Sequence, residues 1–273
     1  MDSKRVLMDK AKHALKTVEE YSDAFRDMVN ECVQWKDEPA RRLKLEKDED
    51  WSFVCVAMDI LGDAGLAIEN FLRFGLDGPT KYDEAGEKYL RLYGLLGATY
   101  SQQRAALKLH KLTSCPGVKQ FQGKAKGLRA TVLRHQIAAH SLDNMDEQGK
   151  VVAAFVPVRI DLGGFNCTVT KNRGDEMDSY DLLVAIEEHS VFVVEVMDVI
   201  YEKCAKTFFK NDSTRRLQHL EKLEELRVIR NGVLVFNAGG TRVVVNIVNM
   251  RREEGQGAKA RCSSHSVNDP MTD

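Results

Sequence analysis

Apolar residues recur at steps of three and four over much of the chain, which is the period of an amphipathic helix. Six stretches carry this pattern, at about 4–35, 51–76, 82–111, 120–142, 179–210 and 213–230. The second stretch is apolar on most sides, which is typical of a helix buried all round. The charged residues 36–50 predict a connector or an exposed helical extension. We therefore expect three or four long helices packed as a bundle.

Two other stretches alternate β-branched with polar residues around a pair of glycines, which is the pattern of a β-hairpin. The first is 150–171, and its Pro157 predicts an edge strand because proline cannot donate a hydrogen bond to a neighbouring strand. The second is 232–248, which turns at Gly239-Gly240. Both hairpins follow the helices that form the bundle.

These patterns predict an α+β fold, mainly α, in which an antiparallel helical bundle carries two appended β-hairpins. We place the bundle at 1–145 and an elaboration of hairpins and helices, packed on the bundle, at 146–250. Residues 251–273 are polar and predict a disordered tail.

The composition is that of a soluble globular protein, with 273 residues, 43% of them apolar and 30% charged. No run of 18 apolar residues occurs, so we expect no membrane span, and the charged N-terminus lacks a secretory signal. Six cysteines stand far apart without a CxxC pair, which favours reduced thiols in the cytoplasm over disulfides or zinc. No glycine-rich phosphate loop or metal-ligand spacing is present, so neither a cofactor nor a metal is expected.

Charge is distributed unevenly along the chain. Between Glu87 and Asp143 lie 55 residues with ten Lys or Arg and no Asp or Glu. A net charge of −1 overall and +10 here leaves −11 for the rest of the chain, so one face should be basic. A basic face attracts phosphate by a sequence-independent, salt-dependent term. The candidate RNA-binding cations are Lys119, Lys124, Lys126 and Arg129, although the same residues could equally form a solvated face paired with acidic helices.

The candidate chemistry lies at the end of the fourth long helix, in the sequence LRHQIAAH. Arg134 offers a planar fork of donors that suits phosphate oxygens. His140 can accept and return a proton near neutral pH, and His135 can support both. An arginine, an imidazole and a basic approach path are the minimum equipment for cleaving RNA without a metal, because the RNA 2′-hydroxyl is itself the nucleophile.

Helix geometry constrains how these groups can meet. On a regular α-helix Arg134 and His140 differ by about 240° in azimuth and about 9 Å in rise. On one straight helix the two side chains therefore point in different directions and cannot easily contact the same phosphate. Two copies across a two-fold axis could place an arginine and a histidine from each chain in one cleft, so the geometry favours a homodimer through this helix.

This stretch resembles the signature of the HEPN superfamily of helical nucleotide-binding domains. The signature is an arginine, a polar residue, a few mainly apolar positions and a histidine, which Arg134, His135 and His140 match. The resemblance implies an all-helical bundle that dimerises and acts as a metal-independent endoribonuclease, in a toxin or anti-phage defence role and with a cognate antitoxin or regulatory protein as a further partner. Members paired with nucleotidyltransferase antitoxins carry a tyrosine two places after the histidine, where this chain has Leu142.

Two alternatives remain open at this point. The chain could be a non-catalytic HEPN-like module that binds nucleic acid or a protein through its basic face. It could also be a purely structural helical protein that dimerises through the fourth helix. In the latter case Arg134 would be a salt-bridging surface residue, and His140 would interact with the dipole at the helix C-terminus.

Overall fold

A computed structural model of the chain describes residues 2–246, except 35–37, 81–83, 140, 143, 146–147, 149, 173, 175 and 239–240. The predicted tail 251–273, the turn at Gly239-Gly240 and the side chain of His140 lie outside the described residues.

The described residues form eight α-helices: α1 (Asp2–Val33), α2 (Pro39–Arg42), α3 (Asp50–Phe74), α4 (Ala85–Leu112), α5 (Val118–Lys126), α6 (Arg129–Arg134), α7 (Leu182–Phe208) and α8 (Ser213–Arg230). A π-helix (His135–Ala139) continues α6, and a short 3₁₀ helix spans Arg159–Asp161. The strands are β1 (Asn144–Met145), β2 (Val151–Ala153), β3 (Phe155–Pro157), β4 (Asn166–Lys171), β5 (Glu176–Asp181), β6 (Val233–Ala238) and β7 (Thr241–Asn246). The prediction of a mainly helical α+β fold is confirmed.

Four long helices form the centre of the molecule. α1 packs against α3 and α7, and α4 packs against the same two helices, so the four close into a bundle. The apolar face of α1 buries Tyr21, Phe25 and Met28, each at most 1% exposed, and α7 meets them with Phe192 and Ile200. α8 covers the seam between α1 and α7, and α6 lies over the seam between α4 and α7.

The small sheet has three antiparallel strands in the order β3-β4-β5. Cys167 and Val169 of β4 point into the same apolar cluster as Leu133, which joins the sheet to α6. β3 is an edge strand, so the prediction for Pro157 is confirmed. The second predicted hairpin is also confirmed, as the antiparallel pair β6-β7. The prediction for the first hairpin was incomplete, because β5 adds a third strand next to β4.

Three sequence predictions differ from the structure. The helix expected from 179 begins instead at Leu182, because Ser179 pairs with β4 and Asp181 caps the helix by accepting hydrogen bonds from two backbone N–H groups of its first turn. The helix expected over 120–142 is broken after α5 at Gly127, where Leu128 turns extended and buries its side chain. The connector 36–50 contains α2, whose Ala40 is buried.

α3 is not buried all round. Phe53, Val56 and Leu66 are 48%, 54% and 67% exposed, while the opposite side packs on α1 and α4. Among the described residues α3 is the one helix whose length and hydropathy would allow it to cross a membrane, a test that core helices of soluble proteins also pass. Its packing into the bundle is compatible with a soluble protein.

Candidate functional site

The predicted motif lies on a short helix that changes its winding. α6 buries Ala130, Thr131 and Leu133 against the bundle and ends at Arg134. The next five residues form a π-helix, in which the backbone bonds from i to i+5 and the turn is wider than in an α-helix. The azimuth worked out for a regular α-helix between Arg134 and His140 therefore does not apply. π-turns of this kind occur frequently at functional sites.

Arg134 is half-buried and stacks on a tyrosine of α4. Its guanidinium carbon lies 3.8 Å from the centroid of the Tyr100 ring, a close cation–π contact. No carboxylate in the described part of the chain forms an ion pair with Arg134. The ring therefore holds the guanidinium through its face, and no carboxylate of the described residues pairs with the edge that carries the N–H donors.

The motif segment is tied to its neighbours on two sides. Gln136 is buried, and its Oε1 accepts a hydrogen bond of 2.8 Å from the Tyr180 hydroxyl on β5. Burial raises the pKa of the Tyr180 phenol, which keeps it in the protonated, donating form. On the other side Thr131 Oγ1 donates to Gln103 Oε1 of α4 at 3.3 Å. The start of the π-helix is thus held between the small sheet and the bundle.

The structure places the predicted site residues unequally. His135 follows Arg134 directly and is half-buried as the first residue of the π-helix. His140 lies outside the described residues, so the structure locates only Arg134 of the predicted Arg134–His140 pair. Within the described residues no group of three or more His, Cys, Asp or Glu is arranged to hold a metal ion.

The four candidate RNA-binding cations divide into two pairs. Lys119 and Lys126 are exposed on α5. Lys124 contacts Glu195 of α7, and Arg129 Nε lies 3.0 Å from a carboxylate oxygen of Glu188, also of α7. The acidic side of α7 therefore balances two of the four charges, through two partly exposed ion pairs that contribute little to stability.

α4 extends the basic surface on the other side of Arg134. Arg104 follows Tyr100 by one helical turn and is exposed, and Lys111 lies two turns further along and is also exposed. Lys108, between them, places its ammonium 4.2 Å from the centroid of the Phe53 ring. Tyr93, two turns before Tyr100, is also exposed. The basic surface beside Arg134 therefore includes aromatic rings.

The sequence pattern did not single out Tyr100 or Tyr180 as site residues. Tyr100 lies within the predicted helix 82–111 and is half-buried. The stretch that supplies Tyr180 was assigned to a helix, and it is a strand. Neither residue carried a local signal, because each acts through a contact with a distant part of the chain.

No protein-family model, no curated protein and no solved structure matches the chain. The comparisons therefore assign neither a family nor an activity. The functional argument depends on the motif and on the surroundings of Arg134.

Proposed function

We propose that the protein is a metal-independent endoribonuclease of HEPN type, acting in the cytoplasm on single-stranded or looped RNA. Arg134 holds the scissile phosphate, His140 acts as general acid and base, and His135 supports them. The observation that supports the proposal most is the placement of Arg134: its guanidinium stacks on Tyr100, unpaired with any described carboxylate, at the edge of an exposed basic surface.

The chemistry needs few protein groups. The 2′-hydroxyl next to the scissile bond loses its proton to an imidazole and attacks the phosphorus, while the 5′-oxygen leaves and receives a proton. The products are a 2′,3′-cyclic phosphate and a 5′-hydroxyl. Positioned proton transfer contributes about 10²–10⁴ in rate, and a guanidinium that stabilises the charged phosphorane contributes a comparable factor.

A second copy is part of the proposal. Two chains that meet across α6 and its π-helix would bring the motif of each close to a shared groove, since a two-fold interface repeats the same patch on both subunits. RNA is the substrate, and a cognate antitoxin or regulatory protein is a further partner.

The test is cleavage of end-labelled RNA by the purified protein in EDTA. We expect Arg134→Ala and His140→Ala each to lower the cleavage rate by about 10²-fold or more. The matched control is Arg41→Ala, which removes an arginine that is 82% exposed and far from α6 in the chain, and it should cleave normally. Substrate with 2′-deoxyribose at the scissile position should stay intact. Equal cleavage by the motif variants and the wild type would exclude the proposal.

A conservative pair of variants tests how Arg134 is held. Tyr100→Phe keeps the ring face under the guanidinium and should retain most of the activity. Tyr100→Leu removes that face, so the guanidinium becomes less well positioned and the cleavage rate should fall. If both variants behave alike, the ring contact does not position Arg134 for this reaction.

The second candidate is a non-catalytic nucleic-acid-binding module. The exposed Lys119, Lys126 and Arg104, together with the exposed ring of Tyr93, are the features that bind a polyanion and stack on bases without any chemistry. Salt-dependent binding of labelled RNA, with no cleavage after long incubation, would favour this function over the nuclease.

A further inference from the structure

The two edges of the three-stranded sheet differ in how their backbone groups are satisfied. On β3, the N–H of Phe155 donates to the carbonyl oxygen of Ser141, and Pro157 has no N–H to offer. That edge is therefore closed to a further strand. The opposite edge is formed by β5, which pairs with β4 on one side and with no strand of the described residues on the other.

The strand register shows which backbone groups of β5 face away from the sheet. The N–H of Val158 donates to the carbonyl oxygen of Thr168 at 2.8 Å, so the even-numbered residues of β4 turn their backbone groups towards β3. This direction alternates along a strand, so the odd-numbered residues of β4 bond to β5, where their partners include Asp178. Met177 and Ser179 therefore turn N–H and C=O outwards, and no described residue bonds to these four groups.

The middle of β5 is also open to solvent. Met177 is 65% exposed, and Asp178 and Ser179 on either side of Met177 and of each other are exposed as well. Met177 lies in register with Thr170 and, one strand further, with Val156, so the three side chains form a row across one face of the sheet. Val156 is 55% exposed. A fourth strand beside β5 would extend this row and cover Met177.

The charge of β5 restricts which strand can pair with it. Its sequence, EMDSYD, contains three carboxylates and no cation. Lys171 of β4 lies 2.9 Å from Glu176, and Asp181 caps α7, so Asp178 is the exposed carboxylate of β5 that has no ion pair among the described residues. A second β5 would bring further carboxylates to this edge, and like charges on neighbouring strands are destabilising. RNA would be repelled for the same reason, whereas a strand with basic residues is complementary.

We propose that the free edge of β5 is a docking site for an extended segment of a partner protein in which apolar and basic residues alternate. The segment adds as a fourth antiparallel strand and bonds to the backbone groups of Met177 and Ser179. Its residue opposite Met177 shares that face and is apolar, while the residues opposite Glu176 and Asp178 lie on the other face and are basic. Because β5 also holds the π-helix through Tyr180, the partner lies beside the candidate site, but docking does not depend on the proposed nuclease activity.

A synthetic peptide tests the docking. The probe is a fluorescently labelled seven-residue peptide of alternating lysine and valine, whose Kd is measured by fluorescence anisotropy. In the proposed arrangement the valines turn their N–H groups towards β5, and the lysines turn theirs away. Methylating three valine nitrogens should therefore weaken binding by about tenfold or more, whereas methylating three lysine nitrogens should leave the Kd unchanged. The two methylated peptides carry the same charge, so non-specific attraction to an acidic surface would not separate them.

Two substitutions in β5 test the same edge from the protein side. Asp178→Lys should weaken binding of the lysine–valine peptide by about tenfold and allow a glutamate–valine peptide to bind instead. Met177→Pro removes an N–H that β4 does not use, so it should keep the fold and weaken binding by about the same factor. If this variant does not fold, Asp178→Lys and the two methylated peptides decide.

The matched control is Glu46→Lys, which makes the same charge change as Asp178→Lys at an exposed position. Glu46 follows Lys44, which contacts the carbonyl of Thr207 near the end of α7, whereas β5 leads into the beginning of α7. Glu46→Lys should bind the peptide like the wild type. Circular dichroism should show that all variants keep the helical fold.

Amide hydrogen exchange locates the contact and identifies other occupants. The amides of Met177 and Ser179 should exchange freely in the protein alone and become protected when the peptide is added, whereas the Asp178 amide, which bonds to β4, is protected throughout. No binding of the peptide, equal effects of the two methylations, normal binding by the β5 variants, or unprotected Met177 and Ser179 amides in the complex would overturn the proposal. Protection that appears without peptide, with rising protein concentration or with single-stranded RNA, would assign the edge to a second copy or to nucleic acid and would also overturn it.

Discussion

A buried histidine in the centre of the bundle gives a quantitative test of the packing. His189 of α7 is 1% exposed, and its Nε2 lies 2.9 Å from Oε1 of Gln102 on α4. The amide nitrogen of Gln102 donates to the carbonyl oxygen of Leu61 on α3 at 2.9 Å. Because the amide oxygen must then accept, His189 donates from Nε2 as a neutral imidazole. This chain of hydrogen bonds joins three helices.

Burial sets the size of the expected effect. It lowers the pKa of His189 to about 4, against about 6.5 in the unfolded chain. Between about pH 4 and pH 6.5 the unfolded state therefore binds a proton on His189, whereas the folded state does not. The stability that comes from keeping His189 neutral is fully present above pH 6.5 and is lost as the pH falls towards 4. The loss amounts to about 3 kcal/mol at pH 4.

The perturbation is His189→Gln, which keeps a hydrogen-bonding side chain next to Gln102 and removes the titration. Urea unfolding, followed by circular dichroism at several values between pH 7.5 and pH 4, gives the free energy of unfolding of both proteins. Carboxylate titration contributes to both and cancels in the difference. We expect the difference, wild type minus variant, to fall by about 3 kcal/mol across this range. A difference that stays constant with pH would refute the reasoning.

Four further substitutions test the packing, two of them next to the motif, each measured by chemical or thermal unfolding. Leu133→Ala should lower the free energy of unfolding by about 2–5 kcal/mol, because Leu133 is fully buried under the motif. Tyr180→Phe should lower it by about 1–3 kcal/mol, since it leaves the buried Gln136 oxygen without its donor. Gly75→Ala should lower the free energy of unfolding by more than about 1 kcal/mol, because Gly75 has a φ of 62° and an added Cβ would lie 2.5 Å from a backbone oxygen. Gly94→Ala, in an open part of α4, should instead raise the free energy of unfolding by about 0.5–1 kcal/mol. Equal effects of the two glycine substitutions would contradict the assignment of strain.

The long helices could be predicted from the sequence because their signal is local. Each repeats its apolar residues over several turns, and α8 spans the same residues, 213–230, as its predicted stretch. The strand β5 could not be predicted in this way. Its sequence, EMDSYD, is rich in acidic residues that strands disfavour, and it is extended because it pairs with β4 along its whole length. Tertiary pairing outweighs local preference there.

The candidate site shows the same contrast between local sequence signals and tertiary contacts. Arg134 and its histidines could be found because the motif is contiguous in sequence. Its surroundings could not be found, since Tyr180 reaches Gln136 from 44 positions away and Glu195 meets Lys124 from 71 positions away. The ion pair with Glu195 removes Lys124 from the set of free cations that the basic stretch predicted on α5. Only the packed structure determines which cations remain exposed.

The small sheet holds the π-helix in place through contacts that the sequence pattern did not predict. The backbone N–H of Phe155 at the start of β3 donates to the carbonyl of Ser141 at 2.8 Å, just beyond the π-helix, while Tyr180 of β5 holds Gln136 within it. A π-turn is less stable than an α-turn, so it persists where its surroundings hold it. The sheet contacts both the beginning and the far side of this turn. We therefore expect loss of the Tyr180 hydroxyl to loosen the chain next to Arg134 more than it loosens the bundle, and amide hydrogen exchange in Tyr180→Phe should accelerate at 135–139 while α1 and α7 stay protected.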